Sequence, residues 1–318
     1  MTTTTDNTRQ PTELDEVQAK AATDKHRLRR KELWTNRGLL LPAVIFLILM
    51  TQIPFLTTIG FSLTEWNLLY PQDRQFAGFS NYSSALTSGD LWPSIVATVL
   101  ITALSVSLAV LFGLLFAVLL DRQFRGRALA RTLMITPFLI MPAAAALIWK
   151  YSMFDTQIGV INWLLRSLGL PIISWSTAHP LATVVIVLTW QFTPFMMLIL
   201  LAGLQGQDKG ILEAAQVDGA GPWRTFTWIT LPHLRMYIEI GVLLGSVIII
   251  QVFDPIAILT KGTGGTKTLA YLLYERAFIG LDIGQAAAYG VVTVILTIIV
   301  ATIALKSVFK VFMAGGSR

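Results

Sequence analysis

Six apolar stretches, each close to the length that crosses a bilayer core, leave this chain few ways to fold. They fall at about 39–63, 93–120, 132–151, 180–203, 237–259 and 285–308. A helix pairs its backbone N–H and C=O groups within one segment, which is what hydrocarbon demands. A β-barrel would alternate apolar and polar residues over segments of about ten, and that alternation is absent. Composition agrees, with 54% hydrophobic and only 13% charged residues, where a soluble domain carries about 25% charged. The expected class is an all-α integral membrane protein with six transmembrane helices. Its membrane domain covers 36–310, between a polar, basic tail over 1–35, expected to be disordered, and a short tail over 311–318.

Lys and Arg set the expected orientation. Lys25, Arg27, Arg29, Arg30, Lys31 and Arg37 precede the first stretch, and Arg122, Arg125, Arg127 and Arg131 follow the second. Lys209, Arg224 and Arg235 follow the fourth, and Lys306, Lys310 and Arg318 close the chain. The intervening segments are poorer in cations, so the first set is expected to be cytoplasmic, with both termini inside. The same bias accounts for the net charge of +6 without a nucleic-acid partner. The four arginines from 122 to 131 could also hold anionic headgroups, although topology alone explains them. The first apolar run begins too late for a cleaved signal peptide. With no cysteine there is no disulfide, thiolate metal site or thiol nucleophile. The three histidines, His26, His179 and His233, lack metal-ligand spacing.

The segment 204–233 is too long and too aromatic for a linker between spans. Ile211 to Val217 is helix-forming, with Ile211, Leu212, Ala215 and Val217 available for packing. Asp218-Gly219 stops that helix, since glycine accepts the left-handed backbone of a helix end. Gly221-Pro222 starts a second helix, Pro being suited to the first turn. Leu231-Pro232 is expected to end it before the fifth span. The product is a helix–turn–helix that exposes Glu213 and Asp218 among small alanines. Small residues let a partner surface approach, and a carboxylate offers a charge-assisted anchor.

Glu213-Ala214-Ala215, then Gly219, then Ile229-x-Leu231-Pro232 resembles the EAA signature of ABC importer permeases. That resemblance implies the type I permease fold and a loop that docks on an ATP-binding subunit through Glu213, Ala214, Ala215, Asp218 and Gly219. It also implies a second permease as a hetero-dimer partner, two ATP-binding subunits and an extracytoplasmic solute-binding protein. ATP and Mg would be bound by those partner subunits, leaving this chain without a cofactor and without covalent chemistry, in a bacterial cytoplasmic membrane. Gly78-Phe-Ser-Asn-Tyr82, Arg125-Gly-Arg127, Trp190-Gln-Phe-Thr-Pro-Phe195 and Phe253-Asp254 resemble the carbohydrate, maltose-permease branch. Trp66-Asn-Leu-Leu-Tyr-Pro71, the run Leu120 to Arg127 and Trp149-Lys150 look closer still to sorbitol/mannitol permeases, which implies a polyol. The chain departs from those permeases at Thr260-Lys-Gly-Thr-Gly-Gly265, where a Gly-Gly-Pro turn is usual.

Polar side chains inside a span are costly and mark candidate sites. Gln251 and Asp254, three apart before Pro255, would share one helical face, and Gln191 precedes Pro194. Trp149, Tyr151, Trp190 and Phe253 could cover the carbons of a sugar or polyol, with Asn162 on a short interfacial helix as a further candidate. The competing reading is that the amides and Asp254 bind helix to helix. Glu239 is expected to meet Arg235, and Met134, Met141, Met196 and Met197 to fill the packing. No Walker lysine motif is present, so the chain cannot power itself. An ion-coupled secondary carrier is the alternative, with Asp254 as its thin support.

Overall fold

A computed structural model describes residues 40–315. The tail at 1–35 lies outside the described residues, and the helix that ends the chain runs on to Gly315, into the tail expected at 311–318. The first helix, α1 (Leu40–Ser62), is apolar, with exposed side chains over most of its length. Its part up to Thr57 forms one compact unit, and residues from Thr58 onward form the other.

In the larger unit a two-stranded antiparallel hairpin, β1 (Thr64–Glu65) and β2 (Gln75–Phe76), pairs Thr64 with Phe76 and Glu65 with Gln75. There follow α2 (Ser80–Thr87), α3 (Leu91–Asp121), α4 (Arg127–Leu139) and α5 (Pro142–Ile148), the last continued by a wide turn over Trp149–Met153. Next come α6 (Val160–Ser167), α7 (Trp175–Ala178), α8 (Pro180–Gln205) and α9 (Lys209–Val217). Then α10 (Pro222–Thr225) runs through a wide turn, Phe226–Thr230, into α11 (Leu231–Ile249). After a turn at Ile256–Thr260 come α12 (Leu269–Tyr274) and α13 (Ile283–Gly315). Some Ser and Thr hydroxyls within the apolar helices return to carbonyls one turn back, as Thr98 does to Ser94 and Thr293 to Tyr289, whereas those of Ser94, Ser105 and Thr189 are buried without a partner.

Met196 wedges α8 between two neighbours. Gly113 of α3 and Gly241 and Gly245 of α11 face it so closely that a methyl group at Gly113 or Gly245 would overlap it. Small residues that bring backbones together are what membrane helix packing uses. Met196 and Met197 are fully buried, as packing residues should be; Met141 is two-thirds exposed.

Two spans are broken where the sequence reads as continuous. The stretch at 132–151 is two helices, α4 and the rod Pro142–Met153, bent by 102°. Ile140 and Met141 are extended at the corner, since Pro142 disfavours a helical residue before it and supplies no N–H. The stretch at 237–259 stops at Ile249, turns through Ile250–Gln251 and resumes at Asp254. Gln251 and Asp254 therefore do not share a helical face. Counting the bent pair as one, six spans remain. A third correction concerns Pro232, which ends no helix: it lies in the first turn of α11, past the wide turn, and Pro222–Ile249 is one rod.

Contacts define two ends of the larger unit. At the loop end, His233 Nε2 meets the Gly203 carbonyl at 3.0 Å. There Gln205, its amide oxygen turned toward the guanidiniums, accepts from Arg131 at 3.0 Å and Arg127 at 3.1 Å. At the opposite end, Asp90 before α3 accepts from Arg276 at 2.7 Å, and Lys267 pairs with Glu275 at 2.8 Å.

Candidate functional site: the exposed hairpin and the broken spans

The hairpin at the loop end is held by its own backbone. Asp208 begins α9, its carboxylate accepting from Gly210 N–H at 2.8 Å. At the other end Gly219 N–H donates to Gln216 O at 3.0 Å and Ala220 N–H to Ala215 O at 2.9 Å. That pair of bonds is the Schellman closure, and it needs a left-handed residue, which Gly219 supplies at φ +78°. Gly221 then caps α10, with Pro222 in its first position. The turn chemistry read from Asp218-Gly219 and Gly221-Pro222 is the geometry observed.

Ala215 is buried against the second limb, whereas Glu213, Ala214, Asp218 and Gly219 are exposed. Of the residues read as available for packing, Leu212 is half-buried, while Ile211 and Val217 are exposed, Val217 at 89%. Trp223 and Trp228 are 78% and 77% exposed. Between the limbs lies a recess of about 260 Å³ walled by Ala215, Asp218, Ala220, Arg224, Trp228 and Ile229. Exposed apolar side chains around an acidic tip have the composition of an interaction surface. Behind the hairpin Arg235 donates to Glu239 at 3.1 Å, the expected pair.

The span candidates gather differently. Trp149 and Trp190 meet edge to face with centroids 5.6 Å apart. Phe253 lies 4.9 Å from Tyr274 and stacks on Tyr271 at 6.1 Å. Trp149 and Phe253 pack on one core that contains Phe154, Val184, Leu188, Ile256 and Leu259. Gln191 is only 3% exposed and donates to the Ile140 carbonyl at 2.9 Å. That carbonyl lies at the bend between α4 and α5, so Gln191 satisfies a group the bend sets free, while its own Oε1 is buried without a partner. Gln251 is exposed and turns back onto Val247 O at 3.0 Å. Asp254 is half-buried at the restart of the helix.

Asn162 is corrected. It is 1% exposed, and its Nδ2 faces the carbonyls of Phe154, Asp155 and Ile173 while its Oδ1 accepts from Ile173 N–H, all at 3.0 Å. Its amide is saturated by the loop it clamps and has nothing left for a solute. Lys150 was missed. Its ammonium donates to the Ile258 carbonyl at 2.8 Å, tying the two broken spans to each other. A lone cation near the end of the apolar stretch 132–151 was the available signal. Tyr271 and Tyr274 beside Phe253 were also missed, lying between the apolar stretches at 237–259 and 285–308.

Residues 82–313 match the family model described as "Binding-protein-dependent transport system inner membrane component". The chain belongs to this family of ABC transporter permeases. The permease is 36% identical to a probable ABC transporter permease protein, y4oQ, of Sinorhizobium fredii, over 93% of this chain and 97% of that one. It is 32% identical to the trehalose transport system permease protein SugA of Mycobacterium tuberculosis, over 80% and 81%. It is 30% identical to the trehalose/maltose transport system permease protein MalF of Thermococcus litoralis, over 88% and 95%. Among solved structures it superposes on a bacterial ABC transporter involved in alginate import with a TM-score of 0.74 at 22% identity, over 89% of this permease and 99% of that chain. The fold is therefore that of an ABC importer type I permease, with the hairpin at 209–230 inside the matched region.

Proposed function

We propose that this permease is one of two different permease chains in a carbohydrate importer and that its exposed hairpin is where an ATP-binding subunit engages it. The observation that carries the reading is the hairpin itself. It is closed by its own hydrogen bonds yet presents Glu213, Val217, Trp223 and Trp228 to the outside. In this reading the loop end faces the cytoplasm, as the basic residues at 122–131 support. ATP and Mg belong to the partner subunits, and closure of those subunits pulls on Glu213, Ala214, Ala215, Asp218 and Gly219. Because Pro222–Ile249 is one rod, displacement of the hairpin reaches the break at 250–253 without an intervening hinge.

The solute is a sugar or sugar alcohol, delivered by an extracytoplasmic binding protein. Relatives named for trehalose and for trehalose/maltose support a carbohydrate, and the resemblance to sorbitol/mannitol permeases supports a polyol. Trp149, Trp190 and Phe253 supply apolar ring area beside the breaks, with Gln251, Asp254 and the free acceptor of Gln191 as polar partners. This chain does no covalent chemistry.

The test is ATP hydrolysis by the reconstituted importer with its binding protein, across sorbitol, mannitol, monosaccharides and disaccharides. Stimulation by a hexitol supports the polyol assignment. Stimulation by a disaccharide alone keeps the importer and removes the polyol. A stable complex that no carbohydrate stimulates overturns the substrate class.

A further inference from the structure

A groove of about 570 Å³ runs between α3, α4 and α8, within the range of about 300–1,000 Å³ common for small-molecule sites. Its walls include Phe112 and Phe116 of α3, Leu133 and Met134 of α4, and Trp190 and Pro194 of α8. Of the two threonines in the wall, Thr193 turns its hydroxyl back onto the Thr189 carbonyl and Thr189 keeps its own hydroxyl buried and unpartnered, so the lining is predominantly hydrocarbon. The turn that joins α3 to α4, two of the walls, and the start of α4 carry four arginines within ten residues: Arg122, Arg125, Arg127 and Arg131.

Two of the four are occupied. Arg127 lies 3.9 Å from Asp121, and Arg127 and Arg131 both face Gln205. Arg122 and Arg125 are exposed and form no ion pair among the described residues. Phe124 between them is half-exposed, and Leu129 and Leu133, one turn apart on α4, are 65% and 63% exposed. Leu133, which lines the groove, lies about 9 Å along the helix from Arg127 at about 1.5 Å per residue. Unpaired cations thus lead over an exposed apolar strip into an apolar groove, within one short helix and the turn before it.

We propose that this groove holds an acyl chain of an anionic phospholipid whose phosphate is bound by Arg122 and Arg125. Guanidinium matches phosphate with two parallel hydrogen bonds, and clustered Arg at a membrane surface selects anionic headgroups. A soluble anion would use the arginines without the groove, and a neutral lipid the groove without the arginines. The juxtaposition fits a molecule with both parts.

The experiment is native mass spectrometry of the assembled importer released from nanodiscs of phosphatidylcholine with a minor fraction of phosphatidylglycerol. Retention of phosphatidylglycerol about tenfold above its share is expected. The Arg122→Gln/Arg125→Gln variant should bring that preference close to one. Leu133→Trp, at an exposed position that folding tolerates, should lower retention with the arginines intact. Unchanged preference in the double variant overturns the proposal. So does displacement of the lipid by free glycerol phosphate, which would mark a plain anion site. A photo-crosslinker at Leu133 that captures a helix of the second permease instead of lipid would overturn it as well.

Discussion

The two ends of the larger unit solve opposite problems. The end with Asp90 is closed on itself. Asp90 receives Arg276 at 2.7 Å and Lys267 at 3.8 Å, and Lys267 also reaches Glu275 at 2.8 Å. Buried bonds lie beneath this network: Leu269 N–H to Thr98 Oγ1 at 2.9 Å and Thr260 to Thr266, hydroxyl to hydroxyl, at 2.7 Å. The loop end satisfies its backbone but leaves its side chains facing outward, with Glu213 and two tryptophans exposed. One end ties its charged side chains to one another; the other leaves those of the hairpin tip exposed. A glycine at each end shows the contrast. Gly264 (φ +59°) is pressed on the Pro180 ring, whereas Gly219 (φ +78°) has no heavy atom within 4 Å of where a Cβ would stand.

The contrast can be broken by substitution. Glu213→Ala should reduce solute transport and solute-stimulated ATP hydrolysis about tenfold or more, the worth of a hydrogen bond to a charged group, with yield and melting temperature unchanged. Normal transport at normal expression would remove the docking role. Gly264→Ala should destabilise the chain by about 3 kcal/mol, adding left-handed strain to overpacking against Pro180, read as thermal unfolding in detergent. Gly219→Ala carries only the strain and should cost about 1 kcal/mol. Equal costs for the two glycines would erase the distinction between the ends.

Asp90→Asn should have the smallest effect, about 0.5 kcal/mol, because the network is about one-third exposed and screened. Added salt should shrink the difference from wild type. The hydrogen bond to Glu275, aided by its charge, raises the pKa of Lys267 above 10.5. A raised value contributes stability that is complete below 10.5 and lost as pH climbs through the folded-state value. The Lys267 contribution to the melting temperature should therefore be flat around neutral pH and fall only in strong alkali. A fall near pH 7 would contradict this.

Much of this was legible in the residues. Uninterrupted apolar runs gave α1, α3, α8 and α13, because hydrocarbon leaves no other fold for them. Asp218-Gly219 and Gly221-Pro222 gave the hairpin, because only certain residues fit those backbone angles. Pro142 marks one break, but the composition around both breaks hides them. Ile140-Met141 and Ile250 to Phe253 are as apolar as the helices they interrupt, apart from Gln251. What permits the bend at 140–141 is distant in sequence, the Gln191 amide that meets the Ile140 carbonyl. Asn162 misled for a related reason: a polar residue on an apolar helix can serve a solute or a loop, and only three surrounding carbonyls decide.

The most direct test of the hairpin as a partner surface uses the absence of cysteine from the chain. Val217→Cys on the hairpin and Phe76→Cys at the opposite end, 89% and 79% exposed in the native residues, each place one thiol in this chain. Labelling by a thiol reagent is compared between the complete importer and the same membranes stripped of ATP-binding subunits. The account predicts that the subunits protect position 217 strongly and leave position 76 unchanged. Equal labelling at position 217 in both preparations would contradict it.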